Sequence, residues 1–134
     1  AGQQPLTPLS AELEQVEAYL QLQELRFSGQ LQLIDRIDEE MRSLWLPPFA
    51  LQMLIENVIK HNQISEQQPL LIELSNEGRW LKVTNAIHKL ASPTESTGTG
   101  LQNIKARYQL LGHESPTFDN TGNFFIAKLP LVQP

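Results

Sequence analysis

Apolar and polar positions along this 134-residue chain alternate between helical and strand-like stretches. Leu9, Leu13, Val16, Leu20 and Phe27 fall in one narrow stripe at about 100° per residue, which predicts an amphipathic helix from Ser10 to about Phe27. Ser10 is its expected N-cap, with Glu12 and Glu14 suitably placed in the first turns. Ala18, Leu22 and Leu25 form a second, weaker stripe, which either joins the same core or docks on a neighbouring domain. Ser28-Gly29 ends the helix, and LQLIDRI (31–37) alternates as a half-buried strand does. Trp45-Leu46-Pro47-Pro48 reads as extended, because a residue before proline is pushed out of the helical region. A helix over roughly 49–62 follows, with Leu51, Leu54, Ile55 and Val58 as its core stripe.

LLIELS (70–75) and WLKVTNA (80–86) read as strands joined through Asn76-Glu77-Gly78, a good turn sequence. After a polar loop from Ile87 to Thr99, a helix from about Gly100 to Leu111 carries Leu101, Ile104, Tyr108 and Leu111 on one face. PTF and NFFIAKLPL flank Asp119-Asn120-Thr121-Gly122 as a closing hairpin. Strands outnumber helices, and hairpins join two of the strand pairs. That order predicts an α/β (α+β) two-layer sandwich, a mixed sheet with its helices on one face, rather than a doubly wound parallel sheet.

The length suits one domain over 1–134, large enough for a core without disulfides or a structural metal. Residues 1–9 read as a linker or a cut end of a longer protein. There is no cysteine, so disulfide and thiolate chemistry are excluded. A formal net charge of −5 argues against nucleic acid as a partner, because duplex binding needs a basic surface. No apolar run approaches the roughly 18 residues that cross a bilayer, so no direct membrane contact is expected. His61, His88 and His113 are too dispersed for a metal-ligand motif.

The central helix carries chemistry on one margin. Asn57 and His61 lie one turn apart beside the core stripe, with Lys60 just beyond and Glu56 farther round. Asn57 can offer a carbonyl oxygen to a hard cation such as Mg²⁺, which keeps most of its waters and bridges to phosphates. Lys60 can meet a phosphate as a point charge, and His61 can border a nucleotide sugar or base. The competing reading is structural: Glu56 and Lys60 are a favourable i, i+4 pair, and Lys60-His61-Asn62 suits a helix C-terminus. In STGTGLQNI (96–104), Thr97, Gly98, Thr99, Gly100 and Leu101 lead into the last helix, where glycines and free helix amides can hold an anion. Glycine is also a common way into any helix. Asn85 closes a strand and can either pair with the amine and ring nitrogen of an adenine or cap a turn.

Three ordered stretches, PLSAELEQVEAYLQLQELRF, LPPFALQMLIENVIKHN and GTGLQNIKARYQLL, resemble the ATP-binding catalytic domain of LytS-type sensor histidine kinases, within the GHKL superfamily that includes DNA gyrase. The likeness runs from about Leu6 to Leu131. It implies that ATP lies between the central helix and a lid, with IENVIKH as the N box. Asn57 is then the Mg²⁺ ligand, Lys60 a phosphate contact, His61 a nucleotide neighbour, and Gly98 and Gly100 the phosphate-holding glycines. Asn85 stands at the start of the adenine box, and Glu56 is the nearest acid to serve as a base or to orient water. The implied reaction moves the γ-phosphate of ATP to a histidine on an upstream dimerisation domain, and a response regulator is served through the full-length, membrane-anchored kinase. This part is then cytoplasmic. None of His61, His88 and His113 sits in the family's acceptor segment, so the acceptor lies outside these residues. After Asn85 the chain reads Ala86-Ile87-His88, with no glycine. That motivates one alternative, an interaction module that has lost its nucleotide; a third reading is another ATPase or serine kinase of the superfamily.

Overall fold

The computed structural model describes residues 5–90 and 99–133. The first helix, α1 (Leu9–Phe27), starts one residue earlier than the sequence predicts, after a two-residue strand β1 (Thr7–Pro8). Ser10 therefore lies inside the first turn and caps nothing. The Leu9 amide, the first that needs a partner, donates instead to Leu44 O at 2.8 Å. At the other end Ser28 takes the left-handed conformation and its amide closes on Glu24 O, as expected for a helix stop. Leu9, Leu13, Val16 and Leu20 are buried, whereas Leu22 and Leu25 stand 67% and 84% exposed. The second stripe thus does not join the core.

Strand β2 (Leu31–Asp35) follows, then a short 3-10 helix at Glu39–Ser43 that hydrophobic periodicity does not signal. Strand β3 (Trp45–Leu46) pairs antiparallel with β1, and Trp45 also exchanges two backbone hydrogen bonds with Val132, tying the segment after the last strand to β3. Helix α2 (Ala50–Lys60) is entered through Phe49 at φ 67°. A bulky residue held in that left-handed region costs about 1–3 kcal/mol and persists only where its surroundings impose it. His61 is the C-cap of α2, and Asn62 lies beyond the helix.

Strands β4 (Leu70–Glu77) and β5 (Trp80–Ala86) form a hairpin whose turn is tighter than expected, since Glu77 pairs with Trp80 across Gly78-Arg79. Asn76 stays in the strand, and its side chain accepts from the Asp38 amide at 2.8 Å. Helix α3 (Thr99–Leu110) and the hairpin of β6 (Thr117–Asn120) with β7 (Phe124–Pro130) complete the chain. The main sheet runs β2-β4-β5-β7-β6, with β2 parallel to β4 and every other pair antiparallel.

One sheet face is the core face. Leu31, Ile72, Leu74, Leu81, Val83, Ala127 and Leu129 are all buried on it, and they share one cluster with Leu9, Val16, Leu51, Leu54, Ile55, Ile104 and Tyr108 from the helices. The helices therefore form a single layer over one face of the mixed sheet, as the sequence pattern predicts. Tyr108 fixes α3 in that layer, for its buried hydroxyl donates to Pro130 O at 2.8 Å.

Candidate functional site

A cleft of about 240 Å³ opens at the C-terminal end of α2. Asn57 and Val58 line it from α2, with His61 and Asn62 just past the helix end. Leu101 of α3 and Ile87, which follows β5, close two other sides. Asn120 and Phe125 reach it from the C-terminal hairpin. Asn57 is half-buried, and its side chain makes no hydrogen bond among the described residues.

Gly100 shows why glycine enters α3. A Cβ at that position would stand 3.3 Å from Asn57 Oδ1, tighter than nearly all such contacts. The two segments singled out in the sequence thus meet, and the amide oxygen of Asn57 lies against the start of α3. Gly100→Ala should gain helix propensity worth up to about 1 kcal/mol. The same methyl would displace Asn57, so any ligand held by its Oδ1 should bind about tenfold more weakly. Thermal melting and a binding titration on one protein sample read both signs.

Asn85 is 2% exposed on the core face of β5, opposite Phe125 of β7. Its Nδ2 donates to Ala86 O at 2.9 Å, which fixes the amide's orientation. Its Oδ1 is buried with no hydrogen-bond partner among the described residues. Asn85 does not itself line the cleft, but its cross-strand partner Phe125 does; buried acceptors are nearly always paired, so its oxygen is open to a further donor. Ile87, two residues on, shares that face and lines the cleft.

His61 is half-exposed. Burial, and then the neighbouring Lys60 charge, hold its imidazole pKa below the usual value. It is therefore neutral near neutral pH and acts as a hydrogen-bonding group rather than a cation. Asn62 staples the site: its Nδ2 donates to Val58 O at 2.7 Å while its Oδ1 accepts from the His88 amide at 2.8 Å. A further backbone bond from Gln63 to His88 O ties the end of α2 to the segment leaving β5.

Lys60 is exposed, is not among the residues lining the cleft, and forms no ion pair among the described residues. Glu56 is not brought to the cleft. It accepts from Gln52 Nε2 at 3.2 Å and lies toward α1, where its charge adds to burial in raising the pKa of Tyr19. The expected Glu56–Lys60 pair is not formed. Leu101 is half-buried and packs on the core, and Thr99 opens α3. Thr97 and Gly98 lie outside the described residues.

Sequence reasoning missed Ile87, Asn62, Asn120 and Phe125. Phe125 is stacked on Phe118, with ring centroids 6.4 Å apart, and Lys105 lies over Phe118. The signal for Phe125 was present, because FFIAKLP alternates so that Phe125, Ala127 and Leu129 share one face. What the alternation lacks is which strand lies opposite. A larger depression of about 440 Å³ lies behind α3, among Pro5, Pro47, Pro48, Ala106, Arg107 and Leu110. Its polar lining residues are Asn103 and Arg107, and Arg107 already donates to Pro48 O at 3.3 Å.

No protein-family model matches the chain. The sensor protein LytS of Enterococcus faecalis is 32% identical, over 97% of this chain and 26% of the relative. The sensor histidine kinase/phosphatase LytS of Staphylococcus aureus is 36% identical, over 91% of this chain and 24% of the relative. Among solved structures, the nucleotide-free catalytic domain of histidine kinase ThkA superposes with a TM-score of 0.62 at 15% identity, covering 96% of this chain and 97% of that one. The fold is that of a histidine kinase catalytic domain. By sequence, the chain belongs with the LytS-type sensor kinases, and it spans about a quarter of the length of the LytS proteins it matches. The resemblance drawn from the three motifs is borne out. Among the described residues, no helix is long and apolar enough to cross a membrane.

Proposed function

We propose that this chain is the ATP-binding catalytic domain of a sensor histidine kinase and holds Mg²⁺-ATP in the cleft beside α2. One observation carries the reading: Asn57 Oδ1 and the glycine-led start of α3 face each other at the mouth of the cleft. The donor set fits the ligand. The orphan Oδ1 of Asn85 can accept from the exocyclic amine of adenine, and Phe125 and Leu101 offer apolar surface beside it. Asn57 is a neutral oxygen ligand of the kind that Mg²⁺ takes alongside phosphates and water. Lys60, exposed and without an ion pair among the described residues, can turn to the phosphates, and His61 borders the sugar or base as a neutral imidazole. Thr99 and Gly100 at the start of α3 stand on the phosphate side, and the family likeness adds Thr97 and Gly98 as expected phosphate contacts. Glu56 takes no part in this reading.

ATP supplies the phosphoryl group and Mg²⁺ neutralises charge on its oxygens; transfer of this kind depends mainly on positioning and electrostatic stabilisation. The chain's own residues bind and orient the nucleotide. The acceptor is a histidine on a helical dimerisation domain outside these residues, and a response regulator is the onward partner. Joined to that domain, the protein should label a histidine from γ-labelled ATP, and Mg²⁺-ATP should raise the melting temperature of the chain alone. Absence of a shift at millimolar nucleotide would favour instead an interaction module that keeps only the fold. That reading has its own motive in the Ala86-Ile87-His88 sequence after Asn85.

A further inference from the structure

Helix α2 has no N-cap of its own. Phe49 precedes it in the left-handed region and offers no side-chain cap. The cap comes from another helix. Glu12 of α1 is 1% exposed; its Oε2 accepts from the Phe49 amide at 3.2 Å, and its Oε1 from the amides of Leu51 at 3.2 Å and Gln52 at 3.4 Å. A carboxylate at a helix N-terminus satisfies both the unpaired amides and the helix dipole. Burial raises the pKa of Glu12, and the three amides, then Arg107, act against that rise. Tyr108 of α3 feels the same charge. The carboxylate thus stands where all three helices meet, bonded to the amide of the left-handed Phe49.

We propose that Glu12 is a positioning residue through which α1 sets the nucleotide site. A displacement of α1 that withdraws this carboxylate uncaps α2, releases Phe49 from its left-handed conformation and shifts Asn57, which is carried on the same short helix. The inference rests on the reading of Asn57 as the Mg²⁺-nucleotide contact.

The test is calorimetric titration of ADP, with and without Mg²⁺, into the wild-type chain and into Glu12→Gln, Glu12→Ala and Asn57→Ala. Glu12→Gln keeps the side chain's size and one acceptor oxygen, so it keeps the question open to measurement if Glu12→Ala fails to fold. Supporting groups behind a metal ligand are typically worth 10–100-fold in affinity, so Mg²⁺-ADP affinity should fall about tenfold in Glu12→Ala and about threefold in Glu12→Gln. Metal-free ADP affinity should change less than about twofold in both, since the base side of the cleft is left in place. Amide exchange at Leu51 and Gln52 should speed up in step. Equal losses with and without Mg²⁺, or no loss in either variant, would overturn the positioning role. If Asn57→Ala shows no Mg²⁺-dependent loss, it is the site assignment that fails; if it does and the Glu12 variants do not, only the role of Glu12 fails.

Discussion

Asn57→Ala should weaken Mg²⁺-ATP binding about a hundredfold, near 2.7 kcal/mol, while leaving the folded protein almost as stable as before. The two halves of that expectation have separate causes. The Asn57 side chain has no hydrogen bond to the described protein, so its removal strands no buried partner, and stability should move by no more than about 0.5 kcal/mol. Its Oδ1 nevertheless lies against the start of α3, where a divalent ion can bridge to phosphates. A calorimetric titration paired with chemical denaturation checks both. Undiminished affinity in the variant would remove Asn57 from the site, and a large loss of stability would make it a structural residue.

Asn85→Leu should separate stability from binding in the opposite sense. The buried, unpartnered Oδ1 is a standing cost of the ligand-free protein, and such a group typically costs about 1–3 kcal/mol. Leucine removes the orphan, adds apolar surface on the core face of β5 and gives up the bond to Ala86 O. The free protein should therefore be unchanged or up to about 1 kcal/mol more stable. Binding should fall by at least about a hundredfold, because the site would lose the acceptor that recognises an exocyclic amine. Thermal melts with and without ATP would show a protein that melts no lower but no longer responds to nucleotide. A destabilised variant that still binds would mean that Asn85 is a packing residue alone.

Much of the fold was legible because it is written in local periodicity. The core stripe of α1, the alternation in β4, β5 and β7, and the face of α3 that carries Ile104 and Tyr108 each follow from spacing. Errors fell where a distant residue does a local one's work. Ser10 looked like a cap because nothing in the sequence reveals that Leu44 O accepts the first helical amide. Glu12 looked like a charge placed for its own helix dipole, yet it serves amides 37 to 40 positions away. The left-handed Phe49 has no sequence signature, since a bulky aromatic is an unusual residue for that conformation.

The site divides the same way. Asn57, His61 and Leu101 could be found because helix geometry puts them on one margin or at one entry point. Asn85 was legible as a strand-end amide, but its unpaired oxygen required the packed sheet. Glu56 sits about 100° round the helix from Asn57, which turns it toward α1 while Asn57 faces α3. Phe125 and Asn120 could not be placed without knowing that β7 lies beside β5.

The most direct measurement is a crystal structure of the chain with Mg²⁺ and a non-hydrolysable ATP analogue. Adenine should be found with its amine on Asn85 Oδ1 and its ring near Phe125, with Mg²⁺ on Asn57 Oδ1 and the phosphates toward Gly100. Nucleotide bound instead in the depression behind α3, or a cleft filled by side chains with Asn85 paired inside the protein, would contradict the account.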